Sequence, residues 1–165
     1  MNEVSLREVV PADLPIFFAQ QLDPEANRRA VFGAQDPADR DAFEAHWVRI
    51  LGDDQTTIRT ILLDAEVAGH VAGFERLGQP EVAYWLGREF WGRGVATRAL
   101  AEFLKLVTVR PLFGRVARDN VASVRVLEKC GFVAQGFDHY FSHVRGEEVE
   151  EVILVLVANE QQSGT

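Results

Sequence analysis

A predicted strand, a loop with two glycines and a predicted amphipathic helix follow one another directly between residues 81 and 107. The stretch EVAYWLG predicts a strand, and the loop from Gly92 to Thr97 leads into a helix that ends before Pro111. Four apolar side chains of that helix share one face: Ala96, Leu100, Phe103 and Val107. Because Gly92 and Gly94 permit positive φ and carry no Cβ, N–H groups of the loop can converge on an anion at the helix N-terminus. This order of elements therefore predicts an α/β unit with an anion site at the loop.

Positive charge around the loop supports a functional anion. Arg88, Arg93 and Arg98 lie in or beside it, in a chain whose net charge is −8. A Walker loop is excluded because the loop has no lysine. A dinucleotide fingerprint fits poorly, because Thr97 stands where a third Gly or Ala is expected and the next strand ends in Ala117-Arg118 without the required acid. On the evidence of this stretch alone, a tight turn that binds no ligand remains an alternative.

The rest of the pattern predicts the order β, α, α, then β-β-β, α, β, α and a final β-β pair. The first strand is expected over 4–10 and the first helix over 13–21. A second helix is expected from Asp36, which can cap it, with Pro37 in the first turn. The stretch 24–34 between these two helices is ambiguous.

Composition limits the class of protein. With 165 residues and 47% hydrophobic content, we expect one soluble domain over 1–158 and a polar tail over 159–165. A cytoplasmic location is expected, since there is no signal peptide and no apolar run that could span a bilayer. The net negative charge argues against non-specific nucleic-acid binding. No membrane partner is expected either, since no apolar run is long enough. The single Cys130 excludes an intramolecular disulfide, and His139 and His143 without a third ligand predict no metal site.

A second motif lies about 25 residues after the loop, in RDNVASVRVLEKCGF. Asn120 caps a predicted helix, Ser123 follows one turn later, and Gly131 ends the helix. Together with FWGRGVATRAL, this motif resembles the GNAT superfamily of N-acetyltransferases, most closely the branch of ribosomal-protein alanine acetyltransferases. The resemblance covers nearly the whole chain, from LREVVPADLP to the closing FVAQGF and VEEVILVL.

The resemblance implies an α/β (α+β) fold, with a mixed, strongly twisted sheet of about seven strands that is splayed after strand 4 and flanked by about four helices. Acetyl-CoA, the implied acetyl donor, enters the splay. Loop amides would hold its pyrophosphate, and the strand edge, Asn120 and Ser123 would contact its pantetheine arm. The cofactor-binding residues implied by the resemblance are Tyr84, Trp85, Leu86, Trp91, Gly92, Arg93, Gly94, Val95, Ala96, Thr97, Asn120 and Ser123.

The implied reaction is direct attack of a neutral amine on the thioester, which requires a proton acceptor. Glu81 is the candidate base, with a solvated carboxylate at a strand start as the alternative. Ser123 can donate to the leaving thiolate or simply cap its helix, and Tyr140 is a further candidate. Leu127 stands where many members carry a tyrosine acid, so a non-catalytic acyl-CoA-binding or interaction domain remains the alternative function. Cys130 is interpreted as a buried residue at a helix end and not as a nucleophile.

The acceptor amine, a small molecule or a protein N-terminus, is expected to bind between the N-terminal helices and the final hairpin. Aromatic residues of those helices are interpreted mainly as core: Phe17, Phe18, Phe32, Phe43 and Trp47. The acidic run from Glu147 to Glu151 can attract a cationic amine, although such a run is more typical of a solvated hairpin. A homodimer is common among similar proteins.

Overall fold

The computed structural model describes residues 3–30, 34, 36–143 and 145–158. Its seven strands form one mixed sheet in the order β1-β2-β3-β4-β5-β7-β6, which confirms the predicted fold class. The strands are β1 (Val4–Arg7), β2 (Thr57–Leu63), β3 (Glu66–Arg76), β4 (Gln79–Leu86), β5 (Leu112–Ala117), β6 (Val133–Ser142) and β7 (Glu147–Leu156). The described α-helices are α1 (Leu14–Gln21), α2 (Pro24–Arg29), α3 (Arg40–Leu51), α4 (Val95–Leu106) and α5 (Val121–Lys129).

The sheet opens between its fourth and fifth strands. Strand β4 pairs with β3 along its whole length, and β5 pairs in the same way with β7, both antiparallel. Between β4 and β5, the only parallel register pair joins Glu81 to Phe113. The two strands therefore separate after Glu81 and leave a V-shaped opening towards their carboxyl ends, as expected for a splay after strand 4.

Two apolar clusters pack against the sheet. The larger contains Leu100 and Phe103 of α4, 1% and 0% exposed, with Ala96 and Val107 partly buried on it, so the predicted face of this helix is confirmed. The smaller is built from side chains of α1, α3 and β2, with Phe17, Phe43, Trp47 and Ile58 at its centre and Phe18 packed beside them. These aromatic residues are core, as interpreted from the sequence; Phe32 lies outside the described residues.

The predicted start of the second helix is wrong by several residues. Helix α3 begins at Arg40, and Asp39 caps it by accepting a hydrogen bond from the N–H of Ala42 at 3.0 Å. Asp36 instead accepts from the N–H of Ala38 at 3.1 Å and closes the preceding turn. Asp36 and Asp39 can each accept a hydrogen bond from a backbone N–H two or three residues later, so both fit the pattern of an N-cap. In the structure, Asp39 is the residue that caps the helix.

The N-terminal region differs from the prediction in two further places. Strand β1 ends at Arg7 and not at Val10, because Val10 donates its N–H to the buried Asp13 carboxylate at 3.0 Å and so leaves the ladder. The ambiguous stretch contains the short helix α2, whose N-cap Asp23 accepts from the N–H of Glu25 at 3.0 Å.

None of the described helices is both long enough and apolar enough to cross a membrane. The tail expected over 159–165 lies outside the described residues.

Candidate functional site

A cavity of about 630 Å³ occupies the opening between β4 and β5. Most residues that the resemblance assigned to the cofactor line it: Tyr84, Trp85, Leu86, Trp91, Gly92, Gly94, Val95, Ala96, Thr97, Asn120 and Ser123. Arg93 lies in the same loop but is not among the lining residues. The strand edge, the glycine loop and the α5 motif, which are distant in sequence, therefore meet around one space.

The outer end of the cavity is the loop before α4. Gly92 and Gly94 have φ values of 71° and 76°, and a Cβ built on either would meet no atom within 4 Å. Gly94 is the N-cap of α4, so the unpaired N–H groups of the first helical turn face the open space. The Trp91 indole N–H donates to the carbonyl of Leu86 at 3.1 Å and fixes the start of the loop against β4. This geometry suits an anion.

The three arginines near the loop have partners on the protein. Arg88 forms an ion pair with Asp23, with an Nε–Oδ2 distance of 2.9 Å, and its hydrogen bonds lower the pKa of that carboxyl. Arg93 donates to the carbonyl of Glu89 at 3.3 Å, and Arg98 donates to the carbonyl of Gly94 at 3.4 Å. None of the three lines the cavity. The expectation that they supply its positive charge is therefore not supported by their placement.

The cationic residues that do line the cavity were missed from the sequence. They are Arg29 at the end of α2, and Arg125 and Lys129 on α5. The Arg29 guanidinium stacks over the Trp91 ring, with its Cζ 4.6 Å from the ring centroid. Spacing of i and i+4 on a predicted helix was the available signal for Arg125 and Lys129, since such residues share a face.

The edge of β4 contributes backbone groups to the cavity. The N–H of Gly87, directly after β4, donates to the carbonyl of Ala68 in β3 at 2.9 Å. Gly87 and Ala68 are therefore a hydrogen-bonded pair of the antiparallel ladder between these strands. Because such pairs alternate along antiparallel strands, the backbone N–H and C=O groups of Tyr84 and Leu86 point away from β3 into the opening. An extended ligand with amide groups can pair there as an added strand.

The inner end of the cavity holds two hydroxyl groups. Tyr84 Oη and Ser123 Oγ are 2.8 Å apart, within hydrogen-bond distance across the opening. Burial raises the pKa of Tyr84 to about 12, so its phenol stays protonated at neutral pH. Asn120 caps α5 as predicted, accepting from the N–H of Ser123 at 3.4 Å, and it also donates to the carbonyl of Arg29 at 3.4 Å.

Glu81 lies at the point where β4 and β5 last pair, and it is 3% exposed. Its Oε2 accepts from Arg76 Nε at 3.1 Å and from Arg115 Nε at 3.3 Å. Arg115 also donates to Glu151 Oε1 at 2.6 Å. The alternative of a solvated carboxylate is therefore wrong, because the side chain is buried and ion-paired. It does not line the cavity, and by alternation it lies on the opposite face of β4 from Tyr84.

The other residues singled out from the sequence, Leu127, Tyr140 and Cys130, do not line the cavity. Leu127 is 3% exposed and packs over Gly114, where a Cβ would meet its Cδ1 at 3.1 Å. Burial raises the pKa of Tyr140. Burial also raises the pKa of the Cys130 thiol, whose Sγ donates to the carbonyl of Thr97 at 3.6 Å. A raised thiol pKa disfavours the thiolate, in keeping with a structural cysteine.

A second cavity of about 420 Å³ adjoins the inner end of the first. Arg28 and Arg29 of α2, Arg145 of the turn between β6 and β7, and the start of α5 line it. It shares Arg29, Asn120 and Ala122 with the first cavity. Of the parts from which an acceptor pocket was expected, only the turn of the final hairpin lines this cavity; the helices predicted from the sequence, α1 and α3, do not, and α2 takes their place.

The acidic residues of the final hairpin differ in exposure and in their partners. Glu147 and Glu148 are exposed, Glu150 pairs with Arg118, and Glu151 is 3% exposed beside Arg115. Within the part of the chain that the structure describes, no group of three or more potential metal ligands comes together.

The sequence model of the acetyltransferase (GNAT) domain matches residues 3–133. A search of curated proteins gave no match.

Three solved structures illustrate the similarity of fold. RimL, a ribosomal-protein α-N-acetyltransferase in complex with coenzyme A, is 16% identical with a TM-score of 0.83, covering 94% of each chain. Mycobacterium smegmatis RimJ, in complex with a CoA disulfide, is 21% identical with a TM-score of 0.79, covering 95% of this chain and 83% of its own. AAC(6')-Ib, in complex with ribostamycin and coenzyme A, is 17% identical with a TM-score of 0.77, covering 99% of this chain and 97% of its own.

Proposed function

Because this chain belongs to the GNAT family of acetyltransferases, we propose that it moves an acetyl group from acetyl-CoA to a primary amine by direct attack within a ternary complex. The observation that supports this most is the cavity between β4 and β5. It has a helix N-terminus at one end and a pair of hydroxyl groups at the other. Acetyl-CoA needs both features, because its pyrophosphate is an anion and its thioester releases a thiolate.

The donor lies along the cavity in this proposal. Backbone amides from Gly92 to Thr97 hold the pyrophosphate, and the edge of β4 at Tyr84 and Leu86 pairs with the amide groups of the pantetheine arm. Asn120 contacts the same arm. The thioester then lies at the inner end, beside Ser123, where the second cavity opens and admits the acceptor amine.

In the reaction, the neutral amine attacks the thioester carbonyl carbon, the new C–N bond forms, and the C–S bond breaks. The proton lost by the amine passes to Glu81 through water, since Glu81 does not line the cavity itself. Arg76 and Arg115 fix the position of its carboxylate. The leaving thiolate has a conjugate-acid pKa of roughly 8.5 and needs only a hydrogen bond from Ser123.

The proposal is tested by steady-state kinetics with acetyl-CoA and a panel of amino acids, polyamines, aminoglycosides and peptides with free N-termini. We expect acetylated product by mass spectrometry and intersecting initial-rate lines, which indicate a ternary complex. Parallel lines with acetyl trapped on Cys130 would instead establish a covalent route. No product from any amine, despite acetyl-CoA binding, would support the non-catalytic alternative.

The role of Glu81 is tested by Glu81→Gln, with the exposed Glu148→Gln as the matched control. Loss of a general base lowers kcat by about 100-fold or more, with little change in the affinity for acetyl-CoA. The control is expected to keep the wild-type rate. A Glu81→Gln variant with undiminished kcat across the pH range contradicts the assignment.

A further inference from the structure

One helix forms a wall of the donor cavity from its inner end to its outer end. Ser123, near the start of α5, meets Tyr84 at the inner end. At the other end of the helix, Cys130 Sγ contacts the carbonyl of Thr97 at 3.6 Å, which places this end beside the first turn of α4. With about 1.5 Å of rise per residue, Ser123 and Lys129 are about 9 Å apart along the helix axis.

Two cationic side chains of this helix, Arg125 and Lys129, line the cavity, and Lys129 lies at its outer end. Arg125 and Lys129 are spaced i and i+4, so they lie on the same face, and both are exposed. Among the described residues, neither forms a hydrogen bond or an ion pair. By contrast, the third cation of the cavity, Arg29, pairs with Glu25 at 3.0 Å. In a chain with a net charge of −8, two unpaired cations beside an anion site indicate a second anion.

The donor of the proposed reaction carries such a group. In coenzyme A the ribose bears the pyrophosphate on its 5′ oxygen and a phosphate monoester on its 3′ oxygen, only a few bonds away. The loop amides that hold the pyrophosphate cannot also hold the second phosphate. A doubly charged monoester at the mouth of the cavity instead needs side-chain cations, which form strong charge-assisted hydrogen bonds with phosphate oxygens.

We propose that Arg125 and Lys129 bind the 3′-phosphate of acetyl-CoA, and that they make the enzyme select donors that carry this group. The inference rests on the proposed donor site and adds to it a specificity-determining pair. Neither residue touches the reacting atoms, so their effect falls on donor affinity and not on the rate of acetyl transfer.

Calorimetric titration with coenzyme A and with 3′-dephospho-coenzyme A tests this directly. The wild-type protein is expected to bind coenzyme A about tenfold or more tightly than the dephospho form, since a factor of ten corresponds to about 1.4 kcal/mol. The double variant Arg125→Gln/Lys129→Gln is expected to bind both ligands with the affinity that the wild type has for the dephospho form. Lys105→Gln, which changes a cation of α4 that pairs with Glu102 outside the cavity, should keep the full ratio.

Each result has one reading. Equal affinities in the wild type, or a ratio that survives the double substitution, overturns the inference while the donor site stands. Absence of binding by both ligands to the wild type overturns the donor site itself and the inference with it. If the double variant binds the dephospho form with the wild-type affinity, that binding also shows that the variant is folded.

Discussion

Tyr84 and Ser123 join the two walls of the cavity through their hydroxyl groups. Because burial raises the pKa of Tyr84 to about 12, its phenol can donate to Ser123 Oγ at neutral pH and leave the serine proton for another acceptor. Leu127 of α5 packs in the core and does not line the cavity, whereas Tyr84 of β4 does.

We expect Tyr84→Phe to lower kcat by about two- to tenfold, the range for one lost hydrogen bond, with little change in the affinity for acetyl-CoA. The backbone groups that face the pantetheine arm are retained in this variant. If Tyr84 acts only by orienting Ser123, the same substitution has no effect on kcat in a Ser123→Ala background. A double-mutant cycle in kcat measures this coupling, and additive effects would contradict it.

His70 is a half-buried titratable residue that packs against the smaller core cluster. Its ring lies 4.7 Å from that of Phe17 and 4.9 Å from that of Trp47, measured between centroids. Its Nδ1 has no hydrogen-bond partner among the described residues. Burial, assisted by the nearby His46, lowers the pKa of His70 to about 3. The folded protein therefore keeps this imidazole neutral.

Stability should consequently fall as the pH is lowered. Between pH 6.5 and 3 the unfolded chain binds a proton on His70 that the folded protein does not, so the free energy of unfolding decreases with decreasing pH in that range. From pH 7.5 to pH 5 the expected loss is about 2 kcal/mol, at about 1.4 kcal/mol per pH unit below 6.5. Urea unfolding at both pH values measures it.

His70→Phe is expected to remove the part of this pH dependence that His70 contributes, because an apolar ring of similar shape fits between Phe17 and Trp47; the part from His46, whose pKa burial also lowers, is retained. The control is His139→Asn, on an imidazole that is 66% exposed, and it should keep the wild-type slope. An unchanged slope in His70→Phe would show that other groups are responsible.

At the scale of elements, the loop before α4 depends on glycine for both conformation and space. Gly94 has a φ of 76°, and its missing Cβ leaves the cavity open. Gly78, in the turn between β3 and β4, has a φ of 79° and equally open surroundings, but it does not line the cavity. The two glycines therefore share a left-handed backbone conformation, and only Gly94 lines the cavity.

Gly94→Val is expected to abolish binding of acetyl-CoA, while Gly78→Val keeps it. Both variants place a β-branched residue in the left-handed region at a cost of about 1–2 kcal/mol, so both should lose a few degrees of Tm. Thermal unfolding and calorimetric titration of the pair separate strain from loss of the site. A folded Gly94→Val protein that binds acetyl-CoA normally would disprove the anion site.

Local pattern predicted those elements whose signals are local. The apolar face of α4 and the glycines before it were readable because periodicity and backbone freedom act over a few residues. Helix α2 was missed, although Asp23 and Pro24 form an N-cap and first-turn signature that could have revealed it. The burial of Glu81 was not readable, because its partner Arg115 comes from another strand and meets it only through sheet register.

At the scale of the whole molecule, the opening divides the sheet into β1–β4 and β5–β7. The two parts are joined at Glu81, by its register pair with Phe113 and its ion pair with Arg115. Helix α2 makes a further connection, since its carbonyl at Arg28 accepts from Arg145 Nε at 2.7 Å. A donor bound in the opening would contact both parts and join them over its full length.

Hydrogen exchange with and without acetyl-CoA tests whether binding couples the two parts. We expect slower exchange at Tyr84 and Leu86 on β4 and, at the same ligand concentration, along α5 on the other wall, because ligand covers both. At about 100 times Kd, binding also adds about 2.7 kcal/mol to the free energy of unfolding. The exposed β6 edge, which does not line the cavity, serves as the reference at short exchange times. Protection confined to residues 92–97 would mean that the ligand is held only by its pyrophosphate and leaves the two parts of the sheet uncoupled.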